Sequence, residues 1–397
     1  MARFANGKAP YLRKADDKAY GTAIIMRDFL IGLLPLILFA WYKNGLQVYL
    51  DGNIAFLEMF YPLVFIIVGG LLSTIFEGLF YVITDKQVRT LKALGTKLQT
   101  SFAAIPGILL AMILPLYTPI WVLVFGCLFA TIIGKMLFGG FGYNIFNPAL
   151  IGYIAIAFTL TGVINAAGGA LNASEILIDG IAGATPLGTL SAASTLNYDA
   201  LVTPYGSLWN FFLGTIPGAL AETSALACLI AYAWFVFRKV IKWYVPLVFV
   251  GTVFVLSWGI GLAAGEPGLW FPTYSILSGG LMFGAVFMAT EPVTTPRNPL
   301  GKIVFALFLG AFTVLFRFVG SLPEGVATAI VFMNIFTMPI DNWTAIIRSD
   351  SPIQKKTWLR IAVLAILFLA IAAYGVLKSG SDYATMIVTS PLVRGLF

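Results

Sequence analysis

Stretches of about 20 predominantly apolar residues, the length that crosses a bilayer as a helix, recur from near residue 27 to near residue 378 with no long polar domain between them. In lipid each backbone N–H and C=O has to be satisfied within its own element, which confines every such stretch to a helix. The composition agrees, with 59% hydrophobic and 10% charged residues, more apolar than a soluble domain carries. The chain is therefore expected to be an all-α integral membrane protein, a polytopic bundle of about ten to eleven transmembrane helices. Spans are expected at roughly 28–42, 56–83, 101–115, 119–136, 147–165, 207–237, 241–263, 271–290, 302–318, 323–340 and 358–378. This divides the chain into an N-terminal arm (1–27), a membrane domain (28–344) with a long loop at 166–206, and a C-terminal extension (345–397) holding an apparent extra transmembrane helix.

The basic residues orient these spans, because Lys and Arg are retained on the cytoplasmic side. Arg3, Lys8, Arg13, Lys14 and Lys18 precede the first span without an apolar core or a small-residue cleavage site, so the first helix itself is expected to direct insertion. With the N-terminus inside, only Lys43, Arg317, Lys378 and Arg394 of the 24 basic residues fall in outer segments. The net charge of +7 thus reads as an orientation signal and not as a nucleic-acid stripe. The 166–206 loop, whose charges are Glu175, Asp179 and Asp199, lies outside on this map. Five spans precede it and about five follow, and an odd number per half gives two inverted five-helix halves, as in inverted-repeat transporters.

Histidine is absent, and Cys127 and Cys228 stand alone in apolar helices, where small packing residues are the plain reading. The chain therefore lacks the ligands for a four-cysteine iron–sulfur cluster, a histidine-ligated haem or a nitrogen-ligated zinc, and no metal site is expected. Any electron it moves has to travel on an organic cofactor.

Two polar interruptions stand out. In "DGIAGATPLGTL" (179–190), Gly183 and Ala184 leave the backbone uncrowded and Pro186 stiffens it, so Thr185 presents one hydroxyl on a slim peptide that another enzyme could reach. A covalent tether suits an electron carrier at a membrane surface, although an ordinary Gly/Pro turn has the same composition. In "GKMLFGGFGYNIFNPAL", Gly139, Gly140, Asn144 and Asn147 interrupt two apolar helices. Such a break needs protein or a cavity to satisfy it, and it fits either a ligand site or a tight helix contact. Among intramembrane acids, which are costly, Glu77 and Glu222 look well inside their spans and are candidates for holding Na⁺ or a proton. Glu291, Glu324 and Asp341 sit near helix ends, where a solvated or capping carboxylate is the plainer reading. Trp and Tyr residues near span ends form an interfacial belt.

Four motifs together, "IDGIAGATPLGT" (178–189), "KMLFGGFGYNIFNPALIGY" (135–153), "GGLMFGAVFMATEPVT" (279–294) and "LPEGVATAIVFMNIFTMPID" (322–341), resemble the D subunit of the Rnf complex. More distantly they resemble the B subunit of the sodium-pumping NADH:quinone reductase. The resemblance implies FMN joined by a phosphoester to Thr185, within a motif that includes Asp179, Gly180, Ala184 and Pro186, and installed outside the cytoplasm by a flavin transferase. It further implies a noncovalent riboflavin in the core, for which Gly139, Gly140, Asn144 and Asn147 are candidates, and an ion pathway for which Glu77, Glu222, Glu291 and Asp341 are candidates. The implied role is a membrane flavoprotein subunit of a ferredoxin:NAD⁺ oxidoreductase in a bacterial inner membrane, with electron transfer coupled to Na⁺ or H⁺ translocation. Implied partners are a second covalent-FMN subunit and two iron–sulfur membrane subunits. The quinone-reductase subunit is the nearest alternative, and a solute transporter or a purely structural anchor are the alternatives of another class.

Overall fold

Apolar stretches that enter lipid need only a start signal and a stop signal to become helices, and Pro or a capping side chain supplies many of the starts. The computed structural model describes residues 21–85, 88, 90–166, 185–193, 195–320, 325–349 and 355–389. The first half runs α1 (Thr22–Leu50), α2 (Glu58–Thr84), α3 (Leu91–Ser101), α4 (Ile105–Ile113), α5 (Ile120–Phe138), α6 (Pro148–Thr159) and α7 (Thr161–Ala166). After α8 (Pro186–Ala192) come α9 (Leu208–Leu213), α10 (Ala225–Phe237), α11 (Tyr244–Ala263), α12 (Trp270–Leu277), α13 (Leu281–Met288), α14 (Pro299–Val319), α15 (Gly325–Ser349) and α16 (Lys355–Thr389). Asn147 and Asn298 each cap a helix that begins with Pro, accepting from Leu150 N–H at 3.4 Å and Leu300 N–H at 3.2 Å.

Among the described residues, 7 helices are long and apolar enough to cross a membrane, or 9 when two bent pairs are each taken as one span. Ten or eleven were expected, and the difference falls in two places. At 147–165 the helix α6 is 12 residues long and stops at Leu160, which leaves helical geometry. At 207–237 the chain unwinds between α9 and α10, and α10 is 13 residues long. The bent pairs are α3 with α4, at 53°, and α12 with α13, at 65°. Phe102 at φ 52 and Gly279 at φ 64 turn the chain at these two breaks.

The packing plan repeats along the chain. In the first half α2 packs on α4 and α5, and α5 packs on α6; in the second, α11 packs on α12 and α14, and α14 packs on α15. In each half, therefore, the helix that is broken in its middle stands third. The helix α16 lies against α11 and α14, outside this repeated plan.

Among the described residues, four π-helical turns, at Tyr42–Leu46, Phe129–Ile133, Gly284–Met288 and Leu315–Val319, each insert an extra residue into a helix and rotate the residues beyond it. Lys43, Lys135, Glu291 and Arg317 lie in or just after these turns. The interior of the bundle thus receives charge where the helix register shifts.

Candidate functional site

Thr185 is the first described residue after 167–184, so the expected motif residues Asp179, Gly180 and Ala184 lie outside the described residues, as does Glu324. The Thr185 backbone is extended, and its Oγ1 accepts the Gly188 N–H at 3.2 Å, which makes it the N-cap of α8 with Pro186 in the first turn. Two further bonds fix this short helix. The Tyr274 hydroxyl, on α12, donates to the Pro186 carbonyl, and the Thr189 and Tyr205 hydroxyls meet at 2.6 Å. Thr185 is half-buried and lines a cavity of ≈ 360 Å³. Tyr153, Ile156, Phe158 and Leu187 give the cavity apolar walls, and Glu222 and Thr223 give it a polar corner. Glu222 is buried and lies against the α12/α13 break, where a Cβ added to Gly280 would sit 2.4 Å from its Oε2. A side chain at position 280 would have to displace the carboxylate.

A second polar cluster gathers around the 139–147 segment. Gly139 and Gly140 adopt φ of +114° and +88°, a conformation that side chains disfavour, and they carry the chain around to Asn144 and Asn147. Asn144 Nδ2 donates to Glu291 Oε1 at 2.9 Å, and the Thr294 hydroxyl donates to Glu291 Oε2 at 3.1 Å. The backbone N–H of Asn147 donates to Asn334 Oδ1 at 3.1 Å. Burial pushes the Glu291 carboxyl up to about 7, against the opposing pull of Asn144, Thr294 and the Lys135 ammonium. This carboxylate is half-buried and bonded to Asn144 and Thr294. Lys135, Phe141, Asn144, Asn147 and Glu291 together line a small cavity of ≈ 70 Å³.

Beside that cavity Glu77 forms a fully enclosed ion pair. Lys135 Nζ donates to Glu77 Oε2 at 2.7 Å and to the Ser101 carbonyl at 2.7 Å, and the Ser101 hydroxyl donates to Glu77 Oε1. The pair has side-chain exposures of 3% and 0%.

The structure thus brings Glu77, Glu291, Asn144 and Asn147 to one cluster and places Glu222 at the other, with Thr185 and Pro186. Asp341 joins neither, since its Oδ1 accepts the Asn298 N–H at 2.7 Å beside the start of α14. Lys135, Lys43 and Arg317 enter the sequence reading only as orientation signals, yet Lys135 and Arg317 are buried. A basic residue that interrupts an apolar stretch is the signal that marks them. Asp28, also buried, bonds Arg238 Nε at 2.8 Å, and it too interrupts the apolar run of α1.

The model of the NQR2, RnfD, RnfE family matches residues 7–348. The chain belongs to that family. It is 36% identical over 275 residues to the D subunit of the proton-translocating ferredoxin:NAD(+) oxidoreductase complex of Clostridium ljungdahlii, covering 66% of this chain and 78% of the relative. It is 37% identical over 267 residues to the D subunit of the ion-translocating oxidoreductase complex of Stutzerimonas stutzeri, covering 60% and 73%. The B subunit of the Na(+)-translocating NADH-quinone reductase of Chromohalobacter salexigens is 38% identical over 244 residues, covering 60% of this chain and 57% of that protein. The family match ends within α15, so α16 lies beyond it.

Proposed function

We propose that this protein is a multi-pass membrane subunit of an Rnf-type, ion-translocating oxidoreductase complex, and that Thr185 carries FMN through a phosphoester bond. The relatives from ion-translocating oxidoreductase complexes support the Rnf type, because the match covers more of their length than of the quinone-reductase subunit. The observation that carries the flavin reading is the position of Thr185 on the wall of a cavity of ≈ 360 Å³. The residues present fit such a group. An esterified Oγ1 keeps a lone pair for the Gly188 N–H, so modification leaves the α8 cap in place, and largely apolar walls suit an aromatic ring system.

When bound, FMN supplies reversible one- and two-electron transfer. Thr185 would fix its position, Tyr274 and Tyr205 hold α8 against the bundle, and Tyr153, Ile156 and Leu187 would offer it apolar wall. In this proposal the N-terminus is cytoplasmic, the Thr185 loop faces the outside of the bacterial inner membrane, and a flavin transferase modifies it there. The Gly139–Asn147 segment is proposed to border a second, noncovalent flavin, riboflavin, and Glu77, Glu222, Glu291 and Asp341 to serve Na⁺ or H⁺ movement. A second covalent-FMN subunit and two iron–sulfur membrane subunits complete the proposed complex.

In-gel fluorescence of the denatured full chain, produced with a flavin transferase, tests the attachment. Wild type and Thr185→Ser are expected to give a fluorescent band and Thr185→Val a dark one. A dark wild-type band, or a bright one from Thr185→Val, overturns the assignment.

A further inference from the structure

Lys43 belongs to the first π-helical turn of α1, and its ammonium points away from lipid into the bundle. Its Nζ donates to the Ile216 carbonyl at 2.5 Å and to the Thr223 hydroxyl at 3.1 Å. The Thr223 hydroxyl in turn donates to the Gly214 carbonyl at 3.0 Å. The next residue reinforces the contact, since Asn44 Nδ2 donates to the Leu220 carbonyl at 3.3 Å. The irregular segment between α9 and α10 is therefore clamped to α1 by adjacent side chains.

That segment is also a wall of the cavity that Thr185 lines, through Ile216, Glu222 and Thr223. The ammonium stands behind this wall, held by two of its lining residues, and the Glu222 carboxylate acts on it electrostatically. The Glu222 carboxylate lies beside Gly280, in the space that a Cβ there would take. One positive and one negative group are thus fixed at a cavity with mainly apolar walls, where charges act over longer distances than in water.

We infer that Lys43 and Glu222 form a charge pair that sets the electrical potential of the Thr185 cavity, and with it the reduction potential of the carrier held there. The inference rests on the proposed attachment of FMN at Thr185. Full reduction of an oxidised isoalloxazine takes up two electrons and one proton near neutral pH and leaves one negative charge on the ring. The Lys43 ammonium offsets part of the Glu222 charge that this added negative charge meets. Without the ammonium it faces more negative charge at this wall, and without the carboxylate more positive charge. The two substitutions therefore act in opposite directions, which a loss of packing does not do. In this inference both act as tuning residues, through their charge.

The test is a spectroelectrochemical titration of the full-length flavinylated chain, with dithionite, oxidised to sulfite, supplying the electrons. Lys43→Met is expected to lower the midpoint potential, and Glu222→Gln to raise it. Each shift should reach at least the tenfold change in a two-electron equilibrium that corresponds to about 30 mV. Lys43→Arg, which keeps the charge, is expected to stay within that interval of wild type. Shifts of the same sign, or no shift in chains that still carry the fluorescent band, overturn the charge pair and leave the attachment standing. A wild-type chain without the band overturns both. Should one variant fail to fold, the sign of the other's shift decides.

Discussion

A carboxyl group held near pH 7 makes the protein's stability depend on pH in a direction that can be worked out. The Glu291 value in the folded chain, about 7, exceeds its ordinary value of 4.5. A group raised on folding contributes stability that is fully present below the ordinary value and is lost as pH rises through the folded one. Wild type is therefore expected to lose stability between pH 4.5 and about 7, by ~1–3 kcal/mol. Glu291→Gln should flatten that part of the profile, as thermal unfolding of the full chain in detergent across pH can check. In the sequence Glu291 is simply an acid following an apolar run. Its partner Asn144 is 147 residues away, and only the folded chain brings them together.

Each broken helix ends its first segment in unsatisfied carbonyls, which carry partial negative charge. A basic side chain from the next transmembrane helix meets them in both halves. Lys135 of α5 donates to the Ser101 carbonyl, and Arg317 of α14 donates to the Ser275 carbonyl at 2.7 Å and the Ser278 carbonyl at 3.5 Å. Both follow or occupy a π-helical turn, which rotates them inward. In the first half Glu77 balances the charge, so removing Lys135 strands an enclosed carboxylate. Lys135→Met is expected to cost about 3–5 kcal/mol, seen as a large drop in melting temperature. The double variant Glu77→Gln/Lys135→Met should recover much of the loss, because it removes both charges and not one.

For the molecule as a whole, the distribution of basic residues predicts an orientation that labelling can test. Cys127 and Cys228 are buried, so single cysteines placed at exposed positions report alone. Ala200→Cys is expected to react with a membrane-impermeant maleimide in intact cells, and Lys242→Cys only after the membrane is opened. The reverse pattern would put Thr185 in the cytosol and remove the compartment that the flavin proposal needs. Two of the four basic residues assigned to outer segments, Lys43 and Arg317, bond inside the bundle. They are exceptions to the charge rule because they serve the interior and not the membrane surface.

The helical, membrane-embedded character of the chain and the placement of nearly all its helices are legible in the sequence, because lipid forces long apolar runs to satisfy their own backbone. The residue proposed to carry FMN, Thr185, is marked in the sequence as a hydroxyl between small residues and a proline. The breaks within the third helix of each half and the shortness of α6 and α10 are not, since an apolar run reads alike whether it continues, bends or stops. The pairing of charges is hidden for a further reason. A helix that is apolar on its lipid face and its packed face alike has no polar side to show which way it points. Glu77 therefore meets Lys135 across 58 residues only once helix crossings and π-helical turns have aimed both side chains into the same interior space.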